Sequence, residues 1–170
     1  MPDPRVCQIR STLDRDGTAA CLLEWGPVRA LMTPEVVHNT ARDLAAAAAS
    51  AEIDVALVKA FRDDLGADGQ MLGEILTLVR NRRPLRPGRV GLRIEAVAGA
   101  RTGRPYVHIG RGSMRGELSP DEARQMAHLW TEAAAAAQID ERLRRALGKW
   151  DRLTPEEIEQ LFIQVQQEGR

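Results

Sequence analysis

The sequence predicts an α+β fold: an internally duplicated ββαα unit, with antiparallel hairpins packed on long Ala-rich helices about a pseudo-twofold axis. Three observations predict it. Two pairs of alternating apolar stretches flank turn signals, the pattern of β-hairpins. Each pair is followed by a capped Ala-rich helical stretch and then by a shorter amphipathic one. The first half, shifted so that Gly17 falls on Gly103, also lies on the second without a gap from there onward.

The elements follow in order. Residues 6–13 alternate, with Cys7, Ile9, Ser11 and Leu13 on one face. Asp14 to Gly17 is a turn signal, and residues 18–25 are the partner strand before Gly26-Pro27 breaks the pattern. Thr33-Pro34-Glu35 opens a helix: an N-cap, a proline at the first helical position and an acid at the positive end of the dipole. That helix runs to about Phe61, with Val37, Ala41, Leu44, Ala48, Ala51, Val55 and Val58 as its apolar stripe. A second helix covers about 70–82, with Leu72, Ile75, Leu76 and Val79 inward.

Pro84 and Pro87-Gly88 mark a linker over 84–89, which separates repeat copies at 5–83 and 90–168 of one domain spanning 1–170. Residues 90–98 and 105–109 form the second hairpin. Ser119-Pro120-Asp121-Glu122 and Thr154-Pro155-Glu156-Glu157 are capping boxes that open the last two helices. The shorter of these carries Ile158, Leu161, Phe162 and Val165 inward.

The repeat rests on helix-start signatures and element order, because Ala-on-Ala matches are cheap in this composition. Thr33-Pro34-Glu35 falls on Ser119-Pro120-Asp121, Ile53-Asp54 on Ile139-Asp140, and Leu72, Ile75, Leu76 and Val79 on Ile158, Leu161, Phe162 and Val165. A lone hairpin is marginal in water. The two hairpins therefore join in one four-stranded sheet, or they form two sheets held apart by a helix layer. The small residues at 45–49 and 133–137 let the long helices approach closely.

Of 170 residues, 44% are hydrophobic, 4% aromatic and 28% charged, and the formal net charge is zero. Zero net charge excludes a global field toward polyanions or membranes. The distribution is uneven: Arg80 to Arg115 holds ten arginines against Glu95, a local +9 that leaves −9 elsewhere. Arginine outnumbers lysine 22 to 2, which codon usage in a GC-rich genome explains; it does not explain why acids avoid this segment. No secretory leader or membrane-length apolar run is present, so a cytoplasmic protein with reduced Cys7 and Cys21 is expected, both as half-buried strand residues.

The arginine cluster is the first candidate site. Arg82, Arg83, Arg86 and Arg89 surround the linker. Arg93, Arg101, Arg104 and Tyr106 lie on or beside the second hairpin, and Arg111 and Arg115 lie in the glycine-rich stretch after it. Basic side chains with a tyrosine on an open sheet face can meet phosphates and stack on a base. The same arginines can instead pair with acidic protein surfaces.

The stretch from Gly110 to Gly116 is the second candidate. It follows a strand and precedes a helix start, where backbone N–H groups can approach an anion. It lacks the P-loop lysine and the spacing of a dinucleotide fingerprint, and the first copy keeps only Gly26 and Arg29 of it.

Catalytic signals are weaker. His38, His108 and His128 have no metal-ligand spacing, and Ser113 lacks a nucleophile-elbow context. Capping explains the carboxylate pairs at 121–122 and 156–157.

Leu118-Ser119-Pro120-Asp121-Glu122-Ala123-Arg124, with the strand before it and the Ala-rich helix after it, resembles a pattern of small actinobacterial phage- and plasmid-type proteins of unknown function. The resemblance implies a genomic context and transfers no functional residue. The expectation is a non-enzymatic nucleic-acid-binding protein of regulatory or maintenance role, with no cofactor or metal and no membrane partner. The alternative is a protein-interaction or assembly module, acting on a protein partner or as a homo-oligomer. A small-ligand or enzyme role ranks third.

Overall fold

The computed structural model describes residues 7–82, 92–99, 102–149 and 153–168. The expected linker at 84–89 lies outside these residues, as do Arg83, Arg86, Arg89 and Arg101. The chain runs β1 (Gln8–Leu13), β2 (Ala19–Trp25), β3 (Val28–Met32), α1 (Pro34–Asp63), α2 (Gly69–Arg82), β4 (Arg93–Ala98), β5 (Pro105–Arg111), β6 (Met114–Leu118), α3 (Pro120–Leu147) and α4 (Pro155–Glu168).

The fold is α+β, with two three-stranded antiparallel sheets ordered β1-β2-β3 and β4-β5-β6. The expected hairpins are therefore meanders, and each unit is βββαα. The missed strands, β3 and β6, follow turns that the sequence presents as breaks. Trp25 pairs with Val28 across Gly26-Pro27, and Arg111 pairs with Met114 across Gly112-Ser113. Gly26 and Gly112 have φ of +55° and +57°, while among the described residues no non-glycine residue has positive φ. A glycine at the first central position of a two-residue loop is the requirement of a type II′ hairpin turn.

Side-chain hydroxyls and carboxylates start the helices where the sequence places them. The Thr33 hydroxyl accepts from the Val36 N–H at 3.4 Å. Ser119 and Glu122 exchange bonds of 3.2 and 2.7 Å, and Thr154 and Glu157 exchange bonds of 3.3 and 2.8 Å. These backbone N–H bonds hold the Glu122 and Glu157 carboxyls below their ordinary range. Asp68 caps α2 through the Gln70 and Met71 N–H groups, at 3.0 and 2.9 Å.

The two long helices pack on each other, and each then lies mainly on the other unit's sheet. α1 covers β4 and β5, and α3 covers β1 and β2. The arrangement is two sheets around a helix pair, not one four-stranded sheet. Val37, Ala41, Leu44, Ala48 and Ala51 are buried along α1, and Ala123, Ala127, Trp130, Ala134 and Ala137 along α3. The sheets supply Cys21, Leu23, Trp25, Val107 and Ile109 to the same core. Small side chains in the helix stripes let large ones from the strands fill the space between layers. Glu141 on α3 accepts a hydrogen bond from the Ala19 N–H at 3.1 Å, and Arg124 on α3 pairs with Glu52 on α1.

α2 and α4 bury less. Leu72, Ile158 and Phe162 are buried, but Leu161 and Val165, expected inward, are exposed at 46% and 61%. A 14-residue helix meeting its neighbours along one seam buries only the middle of its stripe. The Arg144 guanidinium lies 4.2 Å above the Phe162 ring and pairs with Glu159, which ties α4 to α3.

Trp25 gives the sheets a direct contact. A Cβ at Gly116 would lie 3.3 Å from Trp25 Cζ2 and 3.2 Å from Ile109 Cγ1. Gly116→Val is therefore expected to lower stability by about 1–3 kcal/mol through overpacking. Urea unfolding followed by tryptophan fluorescence measures it, and an unchanged midpoint would show that Trp25 does not depend on that close approach.

Candidate functional site

Strand alternation decides which residues the second sheet presents outward. On β4 these are Arg93 and Glu95, on β5 His108 and Gly110, and on β6 Arg115 and Glu117. Pairing sorts them into two cross-strand rows. One row is Arg93, Gly110, Arg115; the other is Glu95, His108, Glu117. A groove of about 470 Å³ opens over them, lined also by Arg111 and Gly112.

The rows carry opposite charge, and Arg93 pairs along β4 with Glu95, while His108 faces Glu117 across the strands within one row. Arg93 donates to Glu95 Oε1 from Nε at 2.8 Å and from the terminal nitrogen at 2.6 Å. His108 Nε2 and Glu117 Oε2 are 3.0 Å apart. Arg115 is exposed and, among the described residues, makes no ion pair. Among the described residues, the two rows of this face hold Arg93 and Arg115 beside Glu95 and Glu117.

Of the other candidate residues, Arg111 also lines the groove, and Arg82, Arg104 and Tyr106 do not. Arg82 is exposed at the end of α2, and Arg104 is exposed just before β5. Arg111 is the last residue of β5 and falls on the Ile109 side by alternation, half-buried and close enough to Cys7 to act on its charge. Tyr106 is half-buried and donates to Thr102 Oγ1 at 3.1 Å. A Cβ at Gly99 would come 2.8 Å from Tyr106 Cε2, so the ring lies against the β4–β5 turn. That commits the tyrosine to a local contact. Strand β6 stands between the glycine-rich stretch and α3, so Gly110 to Gly116 is a hairpin and not a loop leading into a helix start.

Gly110, which heads the glycine-rich candidate stretch, lies within β5 and not in a loop. It occupies the pairing position that Glu24 holds in the first sheet. There Gln8, Glu24 and Arg29 form the corresponding row. Glu24 pairs with Arg29 at 2.9 Å and with Arg10 at 3.6 Å.

Among the described residues no group of three or more His, Cys, Asp or Glu side chains could hold a metal ion, and no helix is long and apolar enough to cross a membrane. No family model, no curated protein and no solved structure matches the chain.

The cysteines are free, Cys21 buried and Cys7 half-buried. Burial pushes the Cys7 thiol from 9.0 to about 12, against a smaller pull downward from the Arg111 guanidinium, and pushes Cys21 to about 11. Because both folded values exceed the unfolded one, the thiols' contribution to stability is complete below 9.0 and is lost as pH rises through about 11 and 12. Alkylation near pH 8 should be slow in the native protein and fast in denaturant. Rapid native labelling of both cysteines, followed by mass spectrometry, would contradict this burial.

Proposed function

We propose that this chain is a non-enzymatic, cytoplasmic protein-interaction module, and that the outer face of β4, β5 and β6 is its recognition surface. The observation that carries the proposal is the charge pattern of that face: Arg93 and Arg115 in one row, Glu95 and Glu117 in the next, over an open groove. A polyanion laid on this face would meet two carboxylates only two residues along the strands from the arginines. A protein surface of mixed charge can match both rows. Exposed apolar side chains support the same reading, with Met71 and Leu78 on α2 and Leu161, Ile163 and Val165 on α4.

The equal spacing of the elements supports an internal duplication with a pseudo-twofold axis between the long helices. β2, β3 and α2 (19–25, 28–32, 69–82) recur at the same spacing as β5, β6 and α4 (105–111, 114–118, 155–168). In this reading the two units differ in use: the first sheet holds Arg29 with its own Glu24, and the second leaves Arg115 without an ion pair among the described residues. The resemblance of the α3 start to small actinobacterial phage- and plasmid-type proteins fits an assembly or maintenance setting.

Nucleic-acid binding is the second reading, and the exposure of Arg82, Arg104 and Arg115 favours it. The two readings separate in solution. Titration with short DNA and RNA at low salt, followed by anisotropy, is expected to show no saturable binding tighter than about 100 μM, the weak end of non-specific association. A photo-crosslinker at Ser113 is expected to trap a protein adduct in the source cells, and one at Asp16 on the opposite hairpin is not. Saturable, steeply salt-dependent nucleic-acid binding that Arg104→Glu and Arg115→Glu abolish would replace the proposal with the second reading.

A further inference from the structure

The two sheets offer an internal comparison. In the first, the middle strand carries Glu24 in the row Gln8, Glu24, Arg29, and its carboxylate holds Arg29 at 2.9 Å. In the second, the same row reads Arg93, Gly110, Arg115. The outer arginine is kept, a further arginine stands on the other side, and the carboxylate between them is gone. A glycine there leaves a notch one side chain deep, flanked in its row by Arg93 and Arg115 and open to the groove. No backbone need accounts for the glycine. Gly110 does not have positive φ, and a Cβ on it would meet only the Met114 carbonyl, at an ordinary 3.5 Å.

Neighbouring acids do not fill the notch. Glu95 is held by Arg93, and Glu117 by His108. Among the described residues Arg115 makes no ion pair. We infer that the notch between Arg93 and Arg115 is a binding site for a single carboxylate, supplied by an aspartate or glutamate of a protein partner. That group takes, in trans, the position that Glu24 takes in the first sheet. The inference rests on the outer face of the second sheet being a protein-recognition surface, and it names the group recognised there.

The chemistry favours a carboxylate over a nucleic-acid phosphate. Planar guanidinium groups bind carboxylates and phosphates alike. Here, however, a row holding Glu95 and Glu117 lies next to the notch. One carboxylate on a side chain reaches the arginines without bringing further negative charge beside those glutamates. A phosphodiester chain brings a charge at every step.

The test uses the full chain and a capped glutamate peptide as probe, read by NMR at the Gly110 amide and the Arg93 and Arg115 Nε–H signals. The peptide should produce saturable shifts at all three, and its glutamine counterpart should produce none. Arg115→Gln should weaken the interaction about tenfold or more, as loss of one charge-assisted pair does. Gly110→Glu should abolish it with the fold intact, because the new carboxylate fills the notch from within, and it should shift the Arg115 Nε–H signal without any peptide. Equal shifts from both peptides, or none at Arg115, would overturn the inference. So would a stronger response to short DNA than to the glutamate peptide at matched charge.

The two readings fail separately. A Ser113 protein adduct that survives Gly110→Glu leaves the interaction surface standing and removes the carboxylate site. Peptide shifts without any adduct keep the site and remove the proposed partner surface.

Discussion

The structure depends on where the long helices lie. α1 packs on α3 and then on β4 and β5, while α3 packs on α1 and then on β1 and β2. A three-stranded meander has one apolar face, and that face must be covered for the sheet to be stable. Here each sheet takes most of its cover from a helix that belongs, in sequence, to the other unit. Half of the chain would leave Leu23 and Trp25, or Val107 and Ile109, without the helix that excludes water from them. The core is therefore shared, and its stability is a property of the whole chain.

That arrangement explains the alanines. Two helices and two sheets meet around one apolar volume, so the helices must approach closely while strand residues reach between them. Ala41, Ala48 and Ala51 on α1 and Ala123, Ala134 and Ala137 on α3 are almost fully buried, beside the much larger Trp25, Trp130 and Leu44. Alternation of small and large side chains fills such a space at normal density. Trp25 carries the principle furthest, since its indole sits against a strand of the other sheet at a residue with no side chain, Gly116. The outer faces, freed from core duty, can then diverge. One carries a closed ion-paired group around Glu24, and the other an open row around Gly110.

Local rules made much of this legible. Thr33, Ser119 and Thr154 mark helix starts by the chemistry of their own side chains, and the structure forms those caps. Alternation in 6–13, 18–25 and 90–98 shows the strands because burial on one face writes a period of two into the residues. β3 and β6 escaped because each is five residues long and follows a glycine-containing turn that also serves as a break signal. β6 also contains Gly116, whose lack of a side chain weakens a strand pattern and is required here by Trp25. The helix placement was beyond local rules: the stripes on α1 and α3 show which face is buried and not which sheet it meets. The site was half legible for the same reason. The local excess of arginine is a property of the sequence, but the row that sets Gly110 between Arg93 and Arg115 exists only once strands are in register.

Native-state hydrogen exchange in dilute denaturant tests this shared core most directly. The amides of Cys21 and Leu23 report on the first sheet, and those of Val107 and Ile109 on the second. If each sheet depends on the other unit's helix, all four amides converge on one opening free energy, that of global unfolding. If one sheet exchanges through an opening well below global unfolding while the other stays protected, the sheets are covered independently and the shared core is wrong.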